Sequence, residues 1–136
     1  ELDESLNIDS ETNIIEKLTR NLKLKDFISL INTSGSIEVR NNNELLSDDS
    51  VIGTGSKLKI TLSNRVVEYT LSVRGDVTGN GQAKMADVMK IATHIIEGNV
   101  IEGEAFERAA DITGDGKIKM NDVMKLATFI IDGGEL

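Results

Sequence analysis

Residues 75–98 read GDVTGNGQAKMADVMKIATHIIEG, and residues 110–133 read ADITGDGKIKMNDVMKLATFIIDG. The offset from Asp76 to Asp111 is 35 residues, and 15 of the 24 aligned positions are identical. Such self-similarity marks a supersecondary unit that cannot bury its apolar face alone. Two copies are too few for a solenoid, so they point to a pseudo-symmetric pair sharing one core. Each copy opens with a Gly-rich acidic loop and continues with apolar residues at helical spacing. These are Val88, Met89, Ile91, Ala92, Ile95 and Ile96 in the first copy, and Val123, Met124, Leu126, Ala127, Ile130 and Ile131 in the second. Gly98 and Gly133 stand where helix C-caps are expected. Between the copies, Glu104 to Ala110 predicts a short helix with Phe106 and Ala109 toward the core.

The loops have the pattern of a hard-cation site. Calcium takes roughly six to eight oxygens, and a twelve-residue EF-hand loop supplies them from positions 1, 3, 5, 7 and 12, with Gly at position 6 for a sharp turn. Here those positions hold Asp76, Thr78, Asn80, Gln82 and Asp87, with Gly81 at the turn, and Asp111, Thr113, Asp115, Lys117 and Asp122, with Gly116 at the turn. Gln82 and Lys117 would offer only main-chain carbonyls. Position 12 is Asp rather than Glu, so the exiting helix must sit closer to the ion. Thr at position 3 is a weaker ligand than a carboxylate, and Lys84 and Lys119 at position 9 cannot ligate. The first loop brings two carboxylates and the second three, which predicts the tighter site in the second. The competing reading is a pair of solvated Asx-Gly turns with Asp87 and Asp122 as N-caps; the matched spacing favours metal.

The helices carry more apolar surface than one buried stripe needs. Val88, Ile91 and Ile95 fill an inward stripe, leaving Met89, Ala92 and Ile96 at another angle, and an exposed apolar stripe marks an interaction surface. Met suits adaptable contacts.

Taken together, the duplication, loop residues and helix pattern of residues 74–134 resemble a dockerin module of the cellulosome type. Such modules carry two loop–helix calcium repeats, each lacking the entering helix of a full EF-hand. The strand Tyr69 to Val73 runs straight into the first loop and leaves no room for that helix. The resemblance implies two calcium ions and a cohesin partner on a scaffoldin, an enzyme or a cell-surface protein. It implies recognition through loop positions 10 and 11 and the outer helix face: Met85, Ala86, Met89, Ala92, Thr93 and Ile96, with Met120, Asn121, Met124, Ala127, Thr128 and Ile131 in the second copy. Met-Ala and Met-Asn at positions 10 and 11 look more like the hydrophobic type II class than the polar type I class. The near-identity of the copies also implies that either helix can present the same patch after a half rotation.

Residues 1–73 predict a separate, β-rich α+β module, β-grasp-like or an Ig-like sandwich, ahead of an all-α module at residues 74–136. Ser5 to Asp9 and Asn13 to Leu18 read as a strand and its continuation, and Leu24 to Asn32 as a helix. Ser36 to Arg40, Lys57 to Leu62 and Val66 to Val73 read as strands, with turns at Asn41–Asn43 and Asn64-Arg65. Gly53-Thr54-Gly55 lacks the Lys-Ser/Thr of a phosphate loop and reads as a turn. This half resembles the X-modules that precede dockerins. No flexible linker separates the halves at Val73-Arg74-Gly75, so the first is expected to brace the second.

The composition excludes several classes. A net charge of −8 disfavours nucleic-acid phosphates and anionic membrane surfaces. No apolar run reaches the roughly 20 residues that span a bilayer. With no Cys, disulfides cannot staple the fold, and metal is the alternative for a small module. The opening Glu1-Leu2-Asp3 reads as the start of a piece of a longer protein. His94, the only histidine, has no nucleophile nearby and reads as a helix-surface residue, so the chain is expected to be non-catalytic; it is also expected to be a monomer when free. The resemblance implies attachment to a secreted or surface-bound bacterial protein, such as a carbohydrate-active enzyme that degrades polysaccharide. The rival class is a calcium sensor or a calcium-stabilised spacer with no cohesin partner.

Overall fold

The computed structural model describes residues 6–133 and Leu136. Its first half is a single six-stranded mixed sheet. The strands are β1 (Asn7–Asp9), β2 (Ile14–Leu18), β3 (Ser36–Asn41), β4 (Glu44–Leu45), β5 (Lys57–Thr61) and β6 (Val66–Val73), in the order β1-β2-β6-β5-β3-β4, with helix α1 (Leu24–Ile28) between β2 and β3. All pairs are antiparallel except β2 with β6. The α+β class holds, but the described strands make one sheet, not the two of a sandwich. The expected continuation from Asp9 to Asn13 is a reversal instead: Asn13 adopts φ 56°, and β1 folds back on β2 with Asn7 opposite Glu16. Ser5 lies outside the described residues. The predicted helix Leu24 to Asn32 is shorter, because Leu30 and Ile31 bond the carbonyls of Phe27 and Ile28, three residues back, and tighten the last turn. Asn42 and Asn43, both at positive φ, form the two-residue turn between β3 and β4.

Alternation on β5 buries Leu58 and Ile60 and exposes Lys57 and Lys59. With Ile15, Phe27, Val39, Ile52, Leu71 and Val73 they form one buried cluster.

The second half holds α2 (Met85–Glu97), α3 (Glu104–Ala110) and α4 (Met120–Asp132). Gly98 and Gly133 end α2 and α4, their N–H groups donating to His94 O and Phe129 O at 2.8 Å. Equivalent residues of the two repeats, Val88 with Val123 and Ile91 with Leu126, meet Val77, Ile112 and Ala109 in a second buried cluster. One residue of the expected inward stripe lies outside it: Ile95 is 37 % exposed, while its counterpart Ile130 is partly buried against the second cluster.

The two halves meet closely. β6 passes into the second half through Arg74, whose N–H bonds Leu18 O, and Gly75, whose N–H bonds Ala109 O at 2.9 Å. Ser72 Oγ donates to Ala105 O at 2.7 Å. Arg108 on α3 reaches back to the β1–β2 hairpin, contacting Asp9 and Glu16 at 2.6 Å and its own neighbour Glu104 at 3.0 Å. Partial burial disfavours the guanidinium charge, but the three carboxylates outweigh this and raise its pKa. Arg20 stacks on Phe129, 4.9 Å from the ring centre.

Candidate metal loops and apolar face

Each acidic loop wraps around two carboxylates, those at positions 1 and 12. In the first loop Asp76 Oδ1 accepts the N–H groups of Gly79 and Asn80, at 2.8 and 3.1 Å, and Oδ2 accepts that of Gly81 at 2.7 Å. Asp87 Oδ1 accepts the N–H groups of Val77 and Thr78 at 3.0 Å, and its Oδ2 accepts Lys84 N–H at 2.8 Å. The second loop repeats this. Asp111 accepts Gly114 N–H and Gly116 N–H, while Asp122 accepts Thr113 N–H at 2.9 Å and Lys119 N–H at 2.8 Å. Lys84 and Lys119 are therefore the N-cap residues, and the position-12 aspartates sit three residues on, holding the N-cap N–H from inside the first turn. Gly81 and Gly116 take φ 83° and 85°, the left-handed turn that position 6 requires.

The two threonines have a role that sequence reasoning missed. Thr78 Oγ1 and Thr113 Oγ1 each donate to the position-12 carboxylate at 3.0 Å, so position 3 orients the shorter Asp at position 12. Asn80 and Asp115 turn inward to accept the N–H groups of Gln82 and Lys117 at 3.0 Å. That bond, with help from Asp111, Thr113 and Lys119, lowers the Asp115 pKa.

The donor set suits a hard divalent cation. Oxygens of Asp111, Asp115 and Asp122 all lie within 4.8 Å of one another. In the first loop Thr78 Oγ1 donates to Asp87 Oδ1 at 3.0 Å and lies 3.4 Å from Asp76 Oδ1, so the two carboxylates flank one hydroxyl. Asp76, Asp87 and Asp122 are fully buried, and no described cationic side chain forms an ion pair with them. Amide dipoles ease such burial, but a buried carboxylate is costly until a counter-charge or a metal compensates it.

Outside the loops, six large apolar side chains face solvent in matched pairs: Met85 with Met120 at 50 and 55 %, Met89 with Met124 at 66 and 65 %, and Ile96 with Ile131 at 80 and 73 %. Ala86, Asn121 and Thr128 are exposed beside them, whereas Ala92, Thr93 and Ala127 are half-buried. Ala92 and Ala127 pack on the core beneath the stripe. Thr93 and Thr128 direct their hydroxyls to Met89 O and Met124 O at 2.8 Å, which leaves their methyl groups to the surface. His94 is not a free surface residue. Its Nδ1 accepts the N–H groups of Val100 and Ile101, at 3.3 and 3.1 Å, and so holds the turn after α2.

Residues 74–131 match the family model described as Dockerin type I domain. The match covers both loop–helix repeats and stops short of the N-terminal sheet. Dockerin domains are non-catalytic modules that bind calcium and, in a calcium-dependent way, cohesin modules. Neither the curated proteins nor the solved structures gave a match.

Proposed function

We propose that the dockerin module makes this chain a calcium-dependent docking unit, which seats a secreted, multimodular protein on a cohesin partner. The observation that carries the reading is the coincidence of two acidic loops with six exposed apolar side chains in equivalent pairs. A stripe of this kind on a soluble module is an interface awaiting its partner. In this reading the first loop holds one ion through Asp76, Thr78, Asn80, the Gln82 carbonyl and Asp87, and the second holds another through Asp111, Thr113, Asp115, the Lys117 carbonyl and Asp122. Calcium supplies the charge that lets these carboxylates stay buried, and the loops then fix the angle at which α2 and α4 present Met85, Met89 and Ile96 and their counterparts.

The division at residues 73 and 74 is supported by the two separate buried clusters, one before Val73 and one after it. The N-terminal sheet acts as an X-module-like brace, a role supported by the Arg108 contacts and by the hydrogen bonds at Ser72 and Gly75. Met85 and Met120 favour a cohesin with an apolar, type II-like face, although the matching family model carries the type I description. Catalysis, on polysaccharide or another extracellular substrate, belongs to other modules of the full protein.

Calorimetric titration of type I and type II cohesins into this chain, with calcium and with chelator, tests the proposal. Binding to one class in calcium only, abolished in the Met89→Glu, Met124→Glu double variant, is the expected result. Calcium binding with no affinity for either class would leave a calcium-stabilised spacer and sink the docking role.

A further inference from the structure

The two loops have different surroundings. An added Cβ at Gly114 or Gly116 meets nothing within 4 Å. On the first loop, a Cβ at Gly81 would collide with Val51 and Ile52, and a Cβ at Gly53 would run into the Gly79 carbonyl. Three hydrogen bonds join this loop to the N-terminal half. Asn21 N–H donates to Gly81 O at 2.8 Å, Asn41 Nδ2 to Gly79 O at 3.3 Å, and Thr54 N–H to Asp76 Oδ2 at 2.9 Å. The last reaches the carboxylate that heads the loop, and among the described residues Asp111 receives no such bond from the N-terminal half. Thr54 is itself fixed: it is 1 % exposed, and its hydroxyl accepts Val73 N–H at 2.9 Å and faces Val73 O at 3.2 Å. A central strand of the sheet thus aims one of the donors that orient Asp76.

Building on the calcium reading, we propose that the first loop and the N-terminal sheet form one cooperative unit. A cation held by Asp76 and Asp87 stabilises the sheet through Thr54, and the cation of the second loop does not. Linkage makes this reciprocal: what the sheet contributes to the first site, occupancy of that site returns to the sheet. Outer partners that orient a ligand are typically worth about 10–100-fold in metal affinity.

The chain contains one Tyr and no Trp. Tyr69 lies in β6, packed on the N-terminal cluster, so its fluorescence reports the sheet, while helical circular dichroism is dominated by α2 and α4. Relative to melts of the full chain in chelator, calcium at about a hundredfold its dissociation constant should raise the Tyr69 transition by about 10 °C or more. Asp111→Ala should keep that shift, and Asp76→Ala should lose it. If Asp76→Ala does not fold, Gly53→Ala decides, because it removes no ligand side chain and forces the 51–54 segment and the loop apart at Gly79. It should weaken the binding event of the first loop, the weaker of the two, about 10–100-fold and leave that of the second loop unchanged. A calcium rise in the helical transition with Tyr69 unmoved would overturn the coupling while leaving calcium binding intact. So would an undiminished Tyr69 shift in Gly53→Ala, or its loss in Asp111→Ala. No calcium response in either signal would remove the calcium reading and the coupling together.

Discussion

Asp122 holds two positions at once, and a pair of variants separates them. Within the second loop Asp115 and Asp122 each offer one carboxylate oxygen to the same cluster. Asp115 is exposed and bonds one amide, Lys117 N–H. Asp122 is fully buried and holds Thr113 N–H, Thr113 Oγ1 and Lys119 N–H at 2.8–3.0 Å. The Thr113 hydroxyl can turn to water once released, so only the two amides count as stranded. At the low end of about 1.5 kcal/mol for each hydrogen bond to a charged group, Asp122→Ala costs ~3 kcal/mol beyond the loss of a ligand. For a module of this size that lowers the melting temperature by roughly 12 °C or more. Asp115→Ala loses the ligand and little else. Melts followed by helical circular dichroism in excess calcium should therefore place Asp122→Ala well below Asp115→Ala. Coincident melts would refute the argument that position 12 closes the first turn of α4 as well as serving the loop.

Three further outcomes are expected. Calorimetric calcium titration should resolve two events, the tighter of which disappears in Asp111→Ala, since the second loop holds the three-carboxylate cluster; loss of the weaker event would reverse the ranking. His94→Ala should cost about 1 kcal/mol, because Val100 and Ile101 lose their shared acceptor in the turn after α2, and unchanged stability would show that water replaces the ring at no cost. The third concerns acid. Arg108, together with Glu11 N–H, holds the Asp9 carboxyl below its ordinary 3.8. A depressed folded pKa contributes stability that is complete above the unfolded value and is lost as pH falls through the folded one. The gap in Tyr69-reported stability between wild type and Arg108→Met should thus be level above about pH 5 and narrow below about pH 4; a gap that widened in acid would contradict the assignment.

Local signals were legible in the sequence and distant ones were not. The loops, α2, α3, α4 and the hairpin of β5 and β6 follow from spacing, glycine and turn chemistry within a few residues. The parallel pairing of β2 with β6 brings Ile14 opposite Thr70, and nothing local encodes that partnership. The Arg108 contacts join residues 92 and 99 apart in sequence, so a lone Arg on a short helix carried no hint of them. Ile95 fits the inward helical stripe by spacing, and its exposure is set by how far the second cluster reaches along α2. Thr54 was passed over because Gly53-Thr54-Gly55 reads correctly as a turn; what it touches, 22 residues away, is set by how the two halves close. A single cue was available for Thr78 and Thr113, the same hydroxyl at position 3 of both repeats, but their bond to position 12 needs the folded loop to be seen.

The passage of β6 into the first loop without a linker also bears on tension. β6 lies between β2 and β5, paired with β5 over Val66 to Thr70 and with β2 over Thr70 to Val73, and its last residue stands three positions before Asp76. Any pull transmitted from the C-terminal face enters the sheet along the axis of that strand, across hydrogen bonds that lie roughly perpendicular to it on the β5 side. The bonds to β2 near the end of the strand and those to β5 further in are loaded in shear and are not peeled one at a time. A strand loaded in this way gives only when several of its bonds yield together.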